Sequence, residues 1–140
     1  MLNHARGIYL FLLGSFCGSL LLTPKSIASP ASPDQLRTYA MIGAMNICIL
    51  NTLDVDFDKS ILSSAISITR VIEDNHQSRF EGFAGSKELW SSEEDIRQGV
   101  AVQVSLLVNH LCGDKFEGPN KKKLQATLDS IRKSGIKVPD

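Results

Sequence analysis

The chain is short of nearly everything that would announce a chemistry. Neither sign of charge is in excess, with 15 basic against 15 acidic side chains in 140 residues. The electrostatic footprint of a nucleic-acid binder is therefore missing. No H-x-H, H-E-x-x-H or C-x-x-C pattern occurs, which argues against a dedicated zinc or two-metal site. No serine has a visible histidine–acid partnership. No apolar run reaches the roughly 20 residues needed to span a bilayer. No internal repeat or low-complexity region stands out, and the length allows one domain. What remains is a small chain in which 43% of the residues are hydrophobic.

The N-terminus has the layout of an export signal over residues 1–28. His4 and Arg6 flank a short polar start, and Ile8 to Leu22 is an apolar run of roughly 15 residues. Ser26, Ile27 and Ala28 put small residues at the two sites a signal peptidase reads, so cleavage is expected after Ala28. An uncleaved membrane anchor is the rival reading. Lipid attachment at Cys17 is a third, opposed by the bulky Phe16 before it. Cleavage would remove Arg6 and Lys25 and leave a slightly acidic domain. It would also remove Cys17, leaving Cys48 and Cys112. Two cysteines in an exported domain most often form one disulfide. Two buried free thiols are the alternative.

Four helices are legible beyond the export segment. Residues 29–32 form an extended, exposed linker that ends at Ser32, a helix cap. Pro33 then suits the first helical position, and Gln35 completes a capping box. Leu36, Ala40, Gly43, Ile47 and Leu50 form an inward stripe, thickened by Met41, Met45, Cys48 and Ile49. Gly43 in mid-helix costs about 1 kcal/mol against alanine, so close approach of a neighbouring helix is expected there. The second helix runs from about Phe57 to about Asp74 and is capped by Asp56 or Asp58. Ile61, Ala65, Ile68 and Ile72 make its face, broadened by Leu62, Ile66 and Val71. Glu73 and Asp74 oppose the helix dipole, and fraying is expected there.

The third helix, Ser91 to Cys112, is the one around which the domain is organised. Ser91 is its expected cap, with Glu94 at the capping-box spacing. Ile96, Val100, Val104, Leu107 and Leu111 recur at three- and four-residue steps, and Val102, Leu106 and Val108 widen the apolar surface, so burial on more than one side is expected. A last helix carries Lys121, Lys122 and Lys123 at its start and Leu124, Leu128 and Ile131 on one face, and ends at Gly135. The domain thus spans residues 33–135, with a tail at 136–140.

The candidate sites are sparse. Residues 75–89 are the least regular stretch, and loops of this length are often functional. Phe80, Phe83 and Trp90 make it a candidate interaction surface, although the plainer reading, and the favoured one, is that these aromatics cover an open end of the core. Trp90 also stands where it could staple the start of the third helix. Asp54, Asp56 and Asp58 alternate like the start of a calcium loop. The pattern fails at Lys59, where glycine is needed, and at Ala65, where a glutamate belongs. Helix capping explains those aspartates better. His76 reads as a solvated histidine beside acidic residues. Glu88, Glu93 and Asp95 are carboxylates that nothing ties to a cleft. The lysine run reads as a solvated face. No catalytic, cofactor-binding or metal-ligating residue is assigned.

The strings YAMIGAMNICIL, VDFDKSI and VSLLVNHLC resemble those of small exported cyanobacterial proteins with two cysteines. Tyr39, Asn46, Cys48, Asp56, Phe57, Lys59 and Cys112 are the matching positions, and the resemblance covers roughly residues 39–138. Some of those relatives carry the name class-II cyclic-AMP phosphodiesterase. The H-x-H-x-D-H motif of that superfamily is absent here and the chain is too short for its sandwich, so no catalytic residue is carried over.

The sequence therefore points to an all-α bundle of four helices with a Cys48–Cys112 disulfide, exported to a periplasm, thylakoid lumen or medium. In an up-and-down bundle the first and third helices are parallel, which puts the two cysteines at one end. The expected role is a binding or structural module acting on a protein partner, with no cofactor. No nucleic acid is expected as a partner, and no membrane once the signal is gone. A carrier of a small apolar ligand is the alternative, and a metal-dependent phosphodiesterase ranks below both. A flat apolar patch favours the first, and an apolar cavity favours the second.

Overall fold

The computed structural model describes residues 28–81, 89–90 and 92–136. Residues 1–27 of the expected export segment, Phe83, Glu88 and Ser91 lie outside the described residues. Helix α1 spans Pro33–Thr52 and begins with the expected capping box. Ser32 Oγ accepts from the Gln35 backbone N–H, and the Gln35 side chain accepts from the Ser32 N–H. Helix α2 spans Phe57–His76 and is capped by Asp56, which accepts from the Lys59 N–H at 3.2 Å. The helix runs two residues past its expected end near Asp74. Glu73 is held by Arg70 at 3.0 Å, and Gln77 closes the helix in the left-handed conformation at φ 53°.

Two short strands come next, β1 (Arg79–Phe80) and β2 (Leu89–Trp90), paired antiparallel. The linker before α1 is not the free, exposed segment the sequence suggested. Ala31 is fully buried and lies beside Phe80 as a third, parallel partner. Its N–H donates to Arg79 O at 2.9 Å, and its carbonyl accepts from Glu81 N at 3.0 Å. Both backbone groups are satisfied, which is what allows so short a segment to be buried.

Helix α3 spans Glu93–Cys112, and its cap is Ser92 rather than Ser91. Ser92 Oγ accepts from Asp95 N at 3.1 Å and donates to the Asp95 carboxylate at 2.6 Å. Both serines have an acid three residues on, so spacing alone could not choose. Glu94 instead pairs with Arg97 and Gln98. A single 3-10 turn, Gly113–Lys115, leads to α4, Gly118–Lys133, which begins three residues before the lysine run.

Helices α1, α2 and α3 pack against one another, and α4 packs along α3 and the first half of α2, with its first residues, Pro119 and Asn120, beside the ends of α1 and α3. Gly43 sets the spacing of the three. A Cβ built there would lie 2.9 Å from Ile68 Cδ1 on α2 and 3.4 Å from Val104 Cγ2 on α3. The expected close approach is thus real, and it involves two neighbours. Cys48 and Cys112 form the disulfide, with Cα atoms 6.0 Å apart. The bridge ties the C-terminal ends of α1 and α3. Their N-terminal ends meet in a cleft that both Leu36 and Ile96 line, so the two helices run parallel.

The buried stripe of α3 is Ile96, Val104, Ser105, Val108 and Cys112. Leu107 is only half-buried and Leu111 is exposed, so the expected stripe is rotated by one residue in its last turns. The disulfide points Cys112 inward, and a four-residue step back from it selects Val108 and Val104. Ser105 is tolerated in the core because its hydroxyl donates to Ala101 O at 2.8 Å. On α2, Ala65, Ile68 and Ile72 are buried as expected, while Leu62, Ile66 and Val71 face outward.

Candidate docking face

Of the loop offered as a candidate surface little can be placed, and what can be agrees with the reading that its aromatics cover the core. Phe80 packs partly buried against the core. Phe83 lies outside the described residues, and of Trp90 the backbone pairing with Arg79 is what is described. His76 is not solvated: it is 4% exposed. Its Nδ1 lies 2.8 Å from Ser29 O and its Nε2 lies 3.1 Å from Tyr39 Oη. A carbonyl can only accept, so Nδ1 carries the proton. In the neutral ring Nε2 then accepts from the tyrosine hydroxyl. The histidine therefore pins the segment before α1 to the end of α2. Tyr39→Phe keeps the ring but leaves a buried acceptor without a donor. It should cost about 1–3 kcal/mol in urea unfolding. An unchanged midpoint would contradict this pairing.

Of the three alternating aspartates, one is a cap and one an ion-pair partner. Asp56 caps α2, and Lys123 reaches it from α4 at 2.5 Å and Asp58 at 2.8 Å. The hydrogen bond from Lys123, with that from Lys59 N, holds the Asp56 carboxyl below its ordinary range. The same bonds to Asp56 and Asp58 hold Lys123 above its own. One member of the lysine run thus has a partner, while Lys121 and Lys122 are solvated as expected. Beside this pair, Asn120 bridges three elements. Its Oδ1 accepts from Phe57 N at 3.0 Å, and its Nδ2 donates to Val55 O at 3.0 Å and to Asn51 Oδ1 at 3.3 Å. Among the described residues no group of three or more His, Cys, Asp or Glu side chains is placed to hold a metal ion.

The feature that distinguishes the surface is on α1. From Thr38 to Leu53 the chain carries no charged residue. The inner side of that stretch is core: Ala40, Gly43, Ala44 and Ile47. The outer side is exposed and still apolar. Ile42, Met45, Ile49 and Leu53 are 50%, 48%, 59% and 67% exposed. Met45 and Ile49, expected to thicken the inward stripe, belong to this outer face. A helix packed on one side normally turns charged and polar residues to water. An outer stripe of this kind marks an interaction site more often than chance.

Grooves flank the stripe on both sides. Between α1 and α2 lies one of about 550 Å³, lined by Ile42, Asn46, Ile49, Ser63, Ser67 and Val71. On the other side Met45, Cys48, Ile49, Leu111 and Cys112 line a larger one of about 930 Å³, which opens onto Asn51, Asp54 and Asn120. The disulfide lies in its floor and fixes the rigid helix that separates the two. A third cleft, of about 320 Å³, sits between the N-terminal halves of α1 and α3, lined by Leu36, Ala40, Ile72, Phe80, Ile96 and Val100. No described helix is long and apolar enough to cross a membrane.

The model of a domain of unknown function, DUF8650, matches residues 34–136. The chain belongs to this family. The DUF8650 region begins in the first turn of α1 and ends just past α4, so it takes in the whole outer stripe, both cysteines and Asn120. No curated protein and no solved structure gives a significant match to this DUF8650 chain.

Proposed function

We propose that this DUF8650 protein is an exported interaction module that docks a protein chain on the outer face of α1. The observation that carries this reading is the uncharged stretch from Thr38 to Leu53 with four large apolar side chains in water. The Cys48–Cys112 bridge supports an oxidising destination. The apolar run at the N-terminus supports export as the route. A membrane surface fits the face poorly. Interfacial helices are rich in lysine or arginine around their apolar side and carry aromatic anchors within it, whereas the stripe itself holds no aromatic residue and Asp54, Asp56 and Glu117 outnumber Lys115 beside it.

Carriage of a small apolar ligand has one observation in its favour, the cleft near Leu36 and Val100. Its volume sits at the lower edge of the usual range for ligand sites, and we place it second.

The test is a photoreactive amino acid introduced at position 45 in the producing cell, with position 125 on the exposed side of α4 as control. The expected result is a covalent adduct to a protein chain from position 45 and none from 125. Adducts to lipid alone, or equal labelling from both positions, would overturn the reading.

A further inference from the structure

We infer that the chain docked on α1 is a second copy of this protein, related by a two-fold axis that runs α1 against α1 antiparallel. The inference rests on the docking reading above and names the partner of that same face. Three observations carry it.

The first is the spacing of the stripe. Ile42, Met45, Ile49 and Leu53 stand three, four and four residues apart, so the stripe reads nearly alike from either end. An antiparallel copy centred near Ile47 sets Met45 of one chain against Ile49 of the other, and Ile42 against Leu53. Each exposed apolar side chain then meets another, which is the self-complementarity a two-fold interface demands.

The second is shape. The ridge formed by the stripe lies beside the groove between α1 and α2. The small serines of its α2 wall leave room for the partner's stripe to lie beside Ile42 and Ile49, so that the side-chain rows of the two α1 helices interleave.

The third is charge and extent. Residues 38–53 carry no charge, and the facing wall of α2 is Ser63, Ser64, Ser67 and Val71. The charges nearest the stripe, Asp54 and Lys115, stand at its Leu53 end, which an antiparallel copy sets against Ile42 and not against its own like charges. The four exposed apolar residues present roughly 400 Å², about half of the roughly 800 Å² per partner of a standard interface, and the groove walls and polar rim are left to supply the rest.

The experiment is sedimentation equilibrium of the full-length chain as recovered from the producing cell, over a dilution series, because the dimer fraction is set by concentration. The wild type and the Gln125→Glu control should show a reversible monomer–dimer equilibrium. Met45→Glu and Ile49→Glu each bury a carboxylate at the seam and should weaken the dimer by about 100-fold or more. Circular dichroism confirms that both variants are folded, since both positions face outward. The adduct from position 45 should map to the peptide of a second copy that contains Ile49. A wild type that stays monomeric throughout, while position 45 still reaches a different protein, would overturn the second copy and leave the docking face standing. A dimer that Met45→Glu and Ile49→Glu leave intact would overturn the inference, because the contact would then lie elsewhere.

Discussion

Breaking the Cys48–Cys112 bridge should lower the melting temperature by about 10 °C or more. The two cysteines are 64 residues apart in sequence. In the chain-entropy model a loop of that length is worth about 4 kcal/mol, and measured losses are commonly about 2–4 kcal/mol. A domain of this size has an unfolding entropy of about 0.2 kcal/mol/K, so each kcal/mol moves the midpoint by about 4–5 °C. The Cys48→Ala, Cys112→Ala double variant reads the effect without a reductant. The loss should be concentrated at the C-terminal ends of α1 and α3, where Met45, Ile49 and Leu111 flank the bridge. A midpoint within about 2 °C of wild type would show that the loop entropy is not what holds these ends together.

The second large effect is expected at Asn120. Its amide satisfies the Phe57 N–H at the start of α2, Val55 O in the turn before it, and Asn51 Oδ1 on α1. Phe57 is fully buried, edge-on to Phe116 with ring centroids 5.7 Å apart, so its N–H has little access to water. Asn120→Ala should cost about 2–4 kcal/mol, because removing one side chain strands several polar groups at once. Asn120→Asp is the sharper variant. It keeps an acceptor for Phe57 N but turns a donor into an acceptor opposite Val55 O and Asn51 Oδ1. It should be destabilising by a comparable amount at neutral pH and recover in part as the carboxyl protonates. An Asn120→Asp variant as stable as wild type at neutral pH would mean that the amide does not donate to Val55 and Asn51.

The features legible in the sequence are those whose partners are near in sequence or few in number. Ser32, Pro33 and Gln35 declare the start of α1 because a capping box is complete within four residues. The disulfide is legible because only Cys48 and Cys112 remain once the N-terminal segment is set aside. Gly43 is legible as a close approach because glycine in mid-helix has few other uses. His76 is not. Its hydrogen-bond partners lie 37 and 47 residues away, and the acids next to it in sequence suggest water instead. Asn120 is equally hidden, with partners 63 to 69 residues distant.

The docking face escapes the sequence for a different reason. Apolar residues on two sides of a helix predict burial on two sides. Met45 and Ile49 therefore look like a wider core stripe, as do Leu62 and Ile66 on α2. The pattern records which side chains avoid water and not whether this chain or another covers them. The difference between α1 and α2 lies in charge. Residues 57–76 carry Asp58, Lys59, Arg70, Glu73 and Asp74, while residues 38–53 carry none.

Hydroxyl-radical footprinting tests the covered face most directly. Leu62 and Ile66, exposed on α2, serve as internal references for Ile42, Met45 and Ile49. The protein is labelled once in its native compartment and once purified at high dilution. A docked face predicts that labelling at 42, 45 and 49 is several-fold weaker in the compartment than at dilution, while labelling at 62 and 66 is the same in both. Labelling of Met45 and Ile49 that is equally strong in both conditions would contradict the account, because the outer face of α1 would then be bare where the protein works.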